Sequence, residues 1–282
     1  MSNNGLPELL ELEERGERRY RVRHPGASPE GRDVIFGGQI LAQMIMASDA
    51  NAGGAKDVKS IHAIFARAGT YAEPMDIEVE PIQAGRTWAS DTLTARQGER
   101  LLCRALVLLN IDDPDLMRHE TRAPAVPKPA DLQPGDALLY PEVEMRPVPE
   151  ADTPAPDGVP TMAFWMRYPR KLDSVAANQA ILAYCTNGQL IGLAMRPHSD
   201  KVKISDAHRS VSTGVIGHIV HFHERPDVSE WLLVTHEAPY AGRGRIFGRG
   251  LVFTEDGRLV AAFEQDSMVR AVEGGLDPKR AM

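Results

Sequence analysis

Two kinds of apolar periodicity alternate along this 282-residue chain. In GGQILAQMIMASDANAGG, Ile40, Leu41, Met44, Ile45 and Ala47 recur at helical spacing, and the opposite face is also apolar or small. A helix with so little polar surface belongs in an interior, and Gly53-Gly54 stop it. Four stretches of strand-like alternation follow: VKSIHAIFARAG, PMDIEVEPIQAG, RTWASDTLTARQG and ERLLCRALVLLNI. The step Gln97-Gly98-Glu99 reads as the tight turn of a hairpin. One buried helix followed by a run of antiparallel strands is an α+β pattern, with the helix lying against one face of the sheet.

Between residues 112 and 160 both periodicities dissolve. Proline recurs at 114, 124, 127, 129, 134, 141, 147, 149, 154, 156 and 160, which forbids regular helix and central strand. The segment reads as a spacer with one short strand, VEMRP. The first order then returns: a strand MAFWMRYP, a helix candidate SVAANQAILAYCTNGQLIGLAM, and four strand stretches, VSTGVIGHIVHFH, EWLLVTHEAPYAG, RGRIFGRGLVFTEDG and RLVAAFEQDSMVRAV. Phe65 and Phe222 stand 157 residues apart, and Gly98 and Gly257 stand 159 apart. Two independent anchors with nearly one period indicate an internal duplication. The expected division is 1–111, a proline-rich linker over 112–160, and 161–282, with buried helices near 38–52 and 174–187.

Composition narrows the function classes. A net charge of −7 argues against a general nucleic-acid binder but leaves room for a local basic pocket. Cys103 and Cys185 sit in apolar runs and read as core residues. No apolar stretch reaches the ~20 residues that span a bilayer, and the acidic N-terminus does not resemble a secretory signal; a cytoplasmic location is expected. His218, His221 and His223 invite a metal reading, yet alternation puts His218 on one strand face and the other two on the opposite face. No acidic or thiol ligand accompanies them, so no metal is expected. RGRIFGRG over 243–250 lacks the third glycine of a dinucleotide fingerprint, since position 247 is Phe247. Its arginines, among them Arg243 and Arg245, suit phosphate oxygens instead. No G-x-S-x-G elbow occurs. Gly37-Gly38 open the first helix and allow a ligand to approach its unsatisfied N–H groups.

Several longer runs carry a resemblance. VIFGGQILAQ (34–43), SIHAIFARAG (60–69), AGRTWASDTLTARQGERLL (84–102) and the run over 230–270 resemble, in order and spacing, the bacterial type II acyl-CoA thioesterases. The likeness covers nearly the whole chain outside the proline-rich segment. It implies two tandem hotdog domains, a double hotdog, each a long buried helix wrapped by a curved antiparallel sheet. It implies hydrolysis of fatty acyl-CoA to free acid and CoA with no metal or organic cofactor. It also implies a catalytic group made of a carboxylate in the second helix, a hydroxyl on the strand after it and a glutamine on the last strand, which together activate a water.

Carried over residue by residue, the family's Tyr-Ala-Ser-Asp falls on Tyr184-Cys185-Thr186-Asn187, so the acid position holds Asn187. The hydroxyl position, two residues before an Asp-His pair that is Gly217-His218 here, holds Val215. The glutamine is Gln265. Asn187 can hold a water but cannot take its proton. Thr213 lies two residues before Val215, and a local bulge would bring its hydroxyl into that place. Val107 stands where Gln265 stands in the other half, so one pocket per chain is expected. Substrate-binding candidates are Gly38, Gln39, His62 (read as lining the pocket near the first helix), His218, Arg243 and Arg245. Two alternatives stay open. One is a non-catalytic acyl-thioester binding module; the other is enoyl-CoA hydration, whose Asp and His five residues apart neither helix offers. The expected partners are acyl-CoA and further copies of the chain, as a dimer or tetramer.

Overall fold

In the computed structural model, residues 6–22, 24, 33–135, 140, 142–153, 155, 158–202, 205, 207 and 210–272 are described. The first half runs α1 (Leu6–Leu9), β1 (Glu13–Glu14), β2 (Arg19–Val22), α2 (Gly37–Ala52), β3 (Asp57–Phe65), β4 (Met75–Ala84), β5 (Trp88–Gln97) and β6 (Arg100–Asn110). After β7 (Glu144–Pro147) the second half runs β8 (Thr161–Arg167), α3 (Val175–Thr186), α4 (Gln189–Met195), β9 (Val211–Phe222), β10 (Leu232–Gly242), β11 (Arg245–Thr254) and β12 (Leu259–Ala271). The strands form one antiparallel sheet in the order β1-β2-β4-β5-β6-β3-β9-β12-β11-β10-β8-β7. Read outward from the β3–β9 seam, the two halves repeat one another strand for strand. The architecture is α+β, two helix-on-sheet units in the double-hotdog arrangement.

The duplication persists at single-residue detail. In β3, Val58 and Ser60 face consecutive residues of β6, Leu109 and Leu108, so Lys59 is bulged out. In β9, Val215 and Gly217 face consecutive residues of β12, Ser267 and Asp266, so Ile216 is bulged out. Positions 59 and 216 again differ by 157. A bulge shifts the two-residue alternation by one, so Val215 and His218 share the inner face.

Burial follows the sequence pattern. The apolar α2 is buried on nearly every side, and two of its buried polar side chains are anchored: Gln43 Nε2 donates to the Leu9 carbonyl at 3.0 Å, and Ser48 Oγ donates to Asp91 at 2.8 Å. Gly53, in the left-handed region at φ 65, ends the helix as expected. Cys103 and Cys185 are buried, and burial pushes the Cys103 thiol up to about 12. α2 and α3 meet where a β-carbon on Gly38 would lie 2.5 Å from the Tyr184 carbonyl oxygen. Only glycine permits that approach.

Two elements differ from expectation. The helix expected near 174–187 is α3, which ends at Asn187 in extended backbone, but the apolar residues beyond it form a separate helix: Gly188 at φ 103 turns the chain into α4. The proline-rich segment is more than a spacer. Its Leu132 and Val148 join Ala163, Trp165, Leu233 and Phe253 in a second core on the outer face of the sheet. Trp165 Nε1 donates to the Pro127 carbonyl at 2.9 Å, and β7, the expected VEMRP strand, pairs with β8 at the sheet edge. Pro141, Pro154 and Pro156 lie outside the described residues. No helix among the described residues is long and apolar enough to cross a membrane.

Candidate functional site

The break after α3 builds the centre of the site. Asn187 is 1% exposed, and its side chain faces the start of α2: a β-carbon on Gly37 would lie 3.2 Å from Asn187 Oδ1. The Gly37 and Gly38 amides have no acceptor among the described residues, as the first turn of a helix requires. The Asn187 Nδ2 group is likewise buried without a partner among them. Three N–H groups, two of the backbone and one of a side chain, are therefore unpartnered at a helix N-terminus, where the helix dipole favours negative charge. The backbone is held from the far side by Tyr140, which is fully buried, donates to the Asn187 carbonyl at 2.8 Å and packs edge-on against Tyr184.

The strand wall comes from β9 and β12. Gln265, 1% exposed, accepts from the Gly188 amide at 3.2 Å and donates through Nε2 to Ser267 Oγ at 2.9 Å. Ser267 is fully buried and pairs across the sheet with Val215. His218, paired with Gln265, faces Thr186: because the Thr186 hydroxyl donates to the Ala183 carbonyl at 2.9 Å, His218 Nε2 donates to it at 2.9 Å. That leaves His218 Nδ1 bare. Burial pushes this imidazole down to about 3, with a smaller opposing contribution from Gln265. The ring is neutral and holds the α3 terminus against the sheet.

The structure thus brings together Asn187, Val215, Gln265, His218 and Gly38. Other candidates lie elsewhere. Thr213 is not moved into the place of Val215: the bulge falls at Ile216, and Thr213 pairs with Val269. Gln39 is committed to a buried network, bonding His24 Nδ1 at 2.7 Å and accepting from Tyr71 at 3.2 Å. His62 does not lie beside the first helix, because the alternation turns it outward. Its ring meets His221 at 5.2 Å, and His62 lines a groove of about 470 Å³ on the outer face. Arg245 also faces outward, with Asp266 at 3.5 Å and the Tyr240 ring at 5.5 Å. Arg243 is exposed in the β10–β11 turn, in the left-handed region at φ 54.

Tyr140 and Ser267 were absent from the sequence expectation. Nothing in a proline-rich run marks one tyrosine as buried. Alternation along VAAFEQDSM does place Ser267 on the face of Gln265. In the first half, the counterparts of His218, Gln265 and Ser267 in the matching pairings are Ile61, Val107 and Leu109, all buried and apolar.

Residues 24–109 match the family described as Acyl-CoA thioesterase N-terminal domain, and residues 120–269 match Acyl-CoA thioesterase C-terminal domain. Acyl-CoA thioesterase 2 of Haemophilus influenzae is 24% identical over 290 residues, covering 96% of this chain and 98% of that protein. Acyl-coenzyme A thioesterase 8 of Mus musculus is 25% identical over 289 residues, covering 93% of this chain and 88% of that protein. Among solved structures, acyl-CoA thioesterase II TesB2 from Mycobacterium marinum superposes with a TM-score of 0.81 at 25% identity, covering 95% of this chain and 98% of that one.

Proposed function

The chain belongs to the acyl-CoA thioesterase family, and on that premise we propose that it hydrolyses fatty acyl-CoA where α2 meets the end of α3. One observation supports this placement above the others: the bare amides of Gly37 and Gly38 stand at the helix start that Asn187, with its unpartnered Nδ2, faces, and Gln265 holds the next residue, Gly188. In this reading the thioester carbonyl oxygen accepts from those N–H groups, which stabilise the negative charge it gains on attack. Gln265 holds the water on the strand side. The water oxygen bonds to the acyl carbon, the C–S bond breaks, and the water proton ends on the departing CoA thiolate. No carboxylate at position 187 takes that proton on the way. The absence of general-base assistance costs ~10²–10⁴-fold in rate.

The reading extends to a cytoplasmic protein of fatty-acid metabolism that self-associates. Ile64, Leu106 and Leu108, which are 65%, 54% and 39% exposed on the outer face, offer apolar area for a second copy. The test of the chemistry is thiol release by the purified chain from octanoyl-, lauroyl- and palmitoyl-CoA, alongside Asn187→Asp. The expected result is slow release by the wild type and a rise in kcat of about 10²-fold in the variant, the lower end of the general-base range. No release by either protein would refute the function. Release that Asn187→Asp does not accelerate would refute the site.

A further inference from the structure

We infer that Ser267 supplies, from β12, the hydroxyl that Val215 does not supply from β9. This rests on the hydrolytic reading above. The two positions are cross-strand partners on the inner face, and the side chains of such partners lie ~4.5–5.5 Å apart at their β-carbons. A hydroxyl at either position therefore reaches the same place beside Gln265. Ser267 is fully buried, and its Oγ accepts from Gln265 Nε2 at 2.9 Å.

That bond and the one from Gly188 together fix which way the Gln265 amide points: the Gly188 N–H, a donor only, selects the oxygen, and Ser267 holds Nε2. With Nε2 held by Ser267, the amide oxygen is turned to the Gly188 N–H at 3.2 Å. It thereby keeps a lone pair for a water, since a carbonyl oxygen accepts twice. The Ser267 O–H has no acceptor among the described residues, so its proton is available to the same water. Ser267 acts on the reaction through Gln265 and the water, as a positioning residue. It completes a strand wall of amide and hydroxyl, while Val215 serves as packing.

The experiment measures kcat and KM with the three acyl-CoA esters for the wild type, Ser267→Ala, and Ser267→Ala combined with Val215→Thr. Threonine nearly matches valine in shape and returns a hydroxyl to β9. Ser267→Ala is expected to lower kcat by about tenfold or more, because a misplaced reactant costs up to ~10²-fold, and to leave KM within about twofold. Adding Val215→Thr is expected to recover most of the loss. A purely structural serine would not give that recovery. If Ser267→Ala fails to fold, Ser267→Cys takes its place; its thiol keeps the shape but accepts and donates weakly, and the same fall and rescue are expected.

Wild-type protein that releases no thiol from any of the three esters would overturn the hydrolytic reading and the role of Ser267 with it. An active wild type whose kcat survives Ser267→Ala, or whose loss Val215→Thr does not repair, would overturn the role of Ser267 alone.

Discussion

The residues that shape this site are polar groups kept neutral by burial. Asn187 and Gln265 are amides, and three histidines carry no charge, two buried and one half-buried: burial holds His218 and His236 down at about 3 and His24 at about 4. In an unfolded chain each binds its proton near 6.5. A folded value below the unfolded one means stability that is complete above about pH 6.5 and is lost as the pH falls toward 3. His236 isolates the effect, because neither ring nitrogen has a partner among the described residues and the ring stacks on Phe164 and meets Phe263 edge-on. His218 and Arg196 depress it further. Replacing His236 with Phe removes one titrating group and one unsatisfied ring. Urea melts at pH 7 and pH 5 should show the stability gap between the two pH values narrowing by about 2 kcal/mol, one proton over roughly 1.5 pH units. An unchanged gap would place the acid sensitivity elsewhere.

At the scale of elements, the meeting of α2 with α3 controls everything else. Gly38 is the point of closest approach, so Gly38→Ala must push the helices apart or distort the first turn. A loss of about 1–3 kcal/mol in urea unfolding is expected, with thiol release falling as the amides of residues 37 and 38 turn away. A variant as stable and as active as wild type would show that the pair tolerates separation. Helix α2, the end of α3 and the run of strands were legible in the sequence, because apolar spacing of 3.6 or 2 residues is imposed by burial itself. The second helix that restarts after Gly188 as α4 was not, since apolar residues continue at helical spacing on both sides of the break. The bulge at Ile216 was not, since nothing in the composition of VSTGVIGHIVHFH marks which residue leaves the ladder. Those two irregularities decide that Gly188 reaches Gln265 and that Thr213 stays out of the place of Val215.

For the whole molecule, duplication has produced two unequal halves. The second keeps His218, Gln265 and Ser267 on its inner strand face, where the first has Ile61, Val107 and Leu109. The buried carboxylate of the first half, Asp91, is already bonded by Ser48. One ligand per chain follows. Calorimetric titration with a non-hydrolysable thioether analogue of palmitoyl-CoA should saturate at one equivalent, and two equal sites would contradict the asymmetry. The pair of bulges at Lys59 and Ile216 dates the shared part of the design. Bulges on matching positions are what two copies of one kinked strand retain after duplication. Descent therefore fixed the backbone of both halves before either specialised. What has varied since is side-chain identity on a shared frame: in the reading proposed for Ser267 and Val215, a hydroxyl passes from one strand to its neighbour by a change of two side chains.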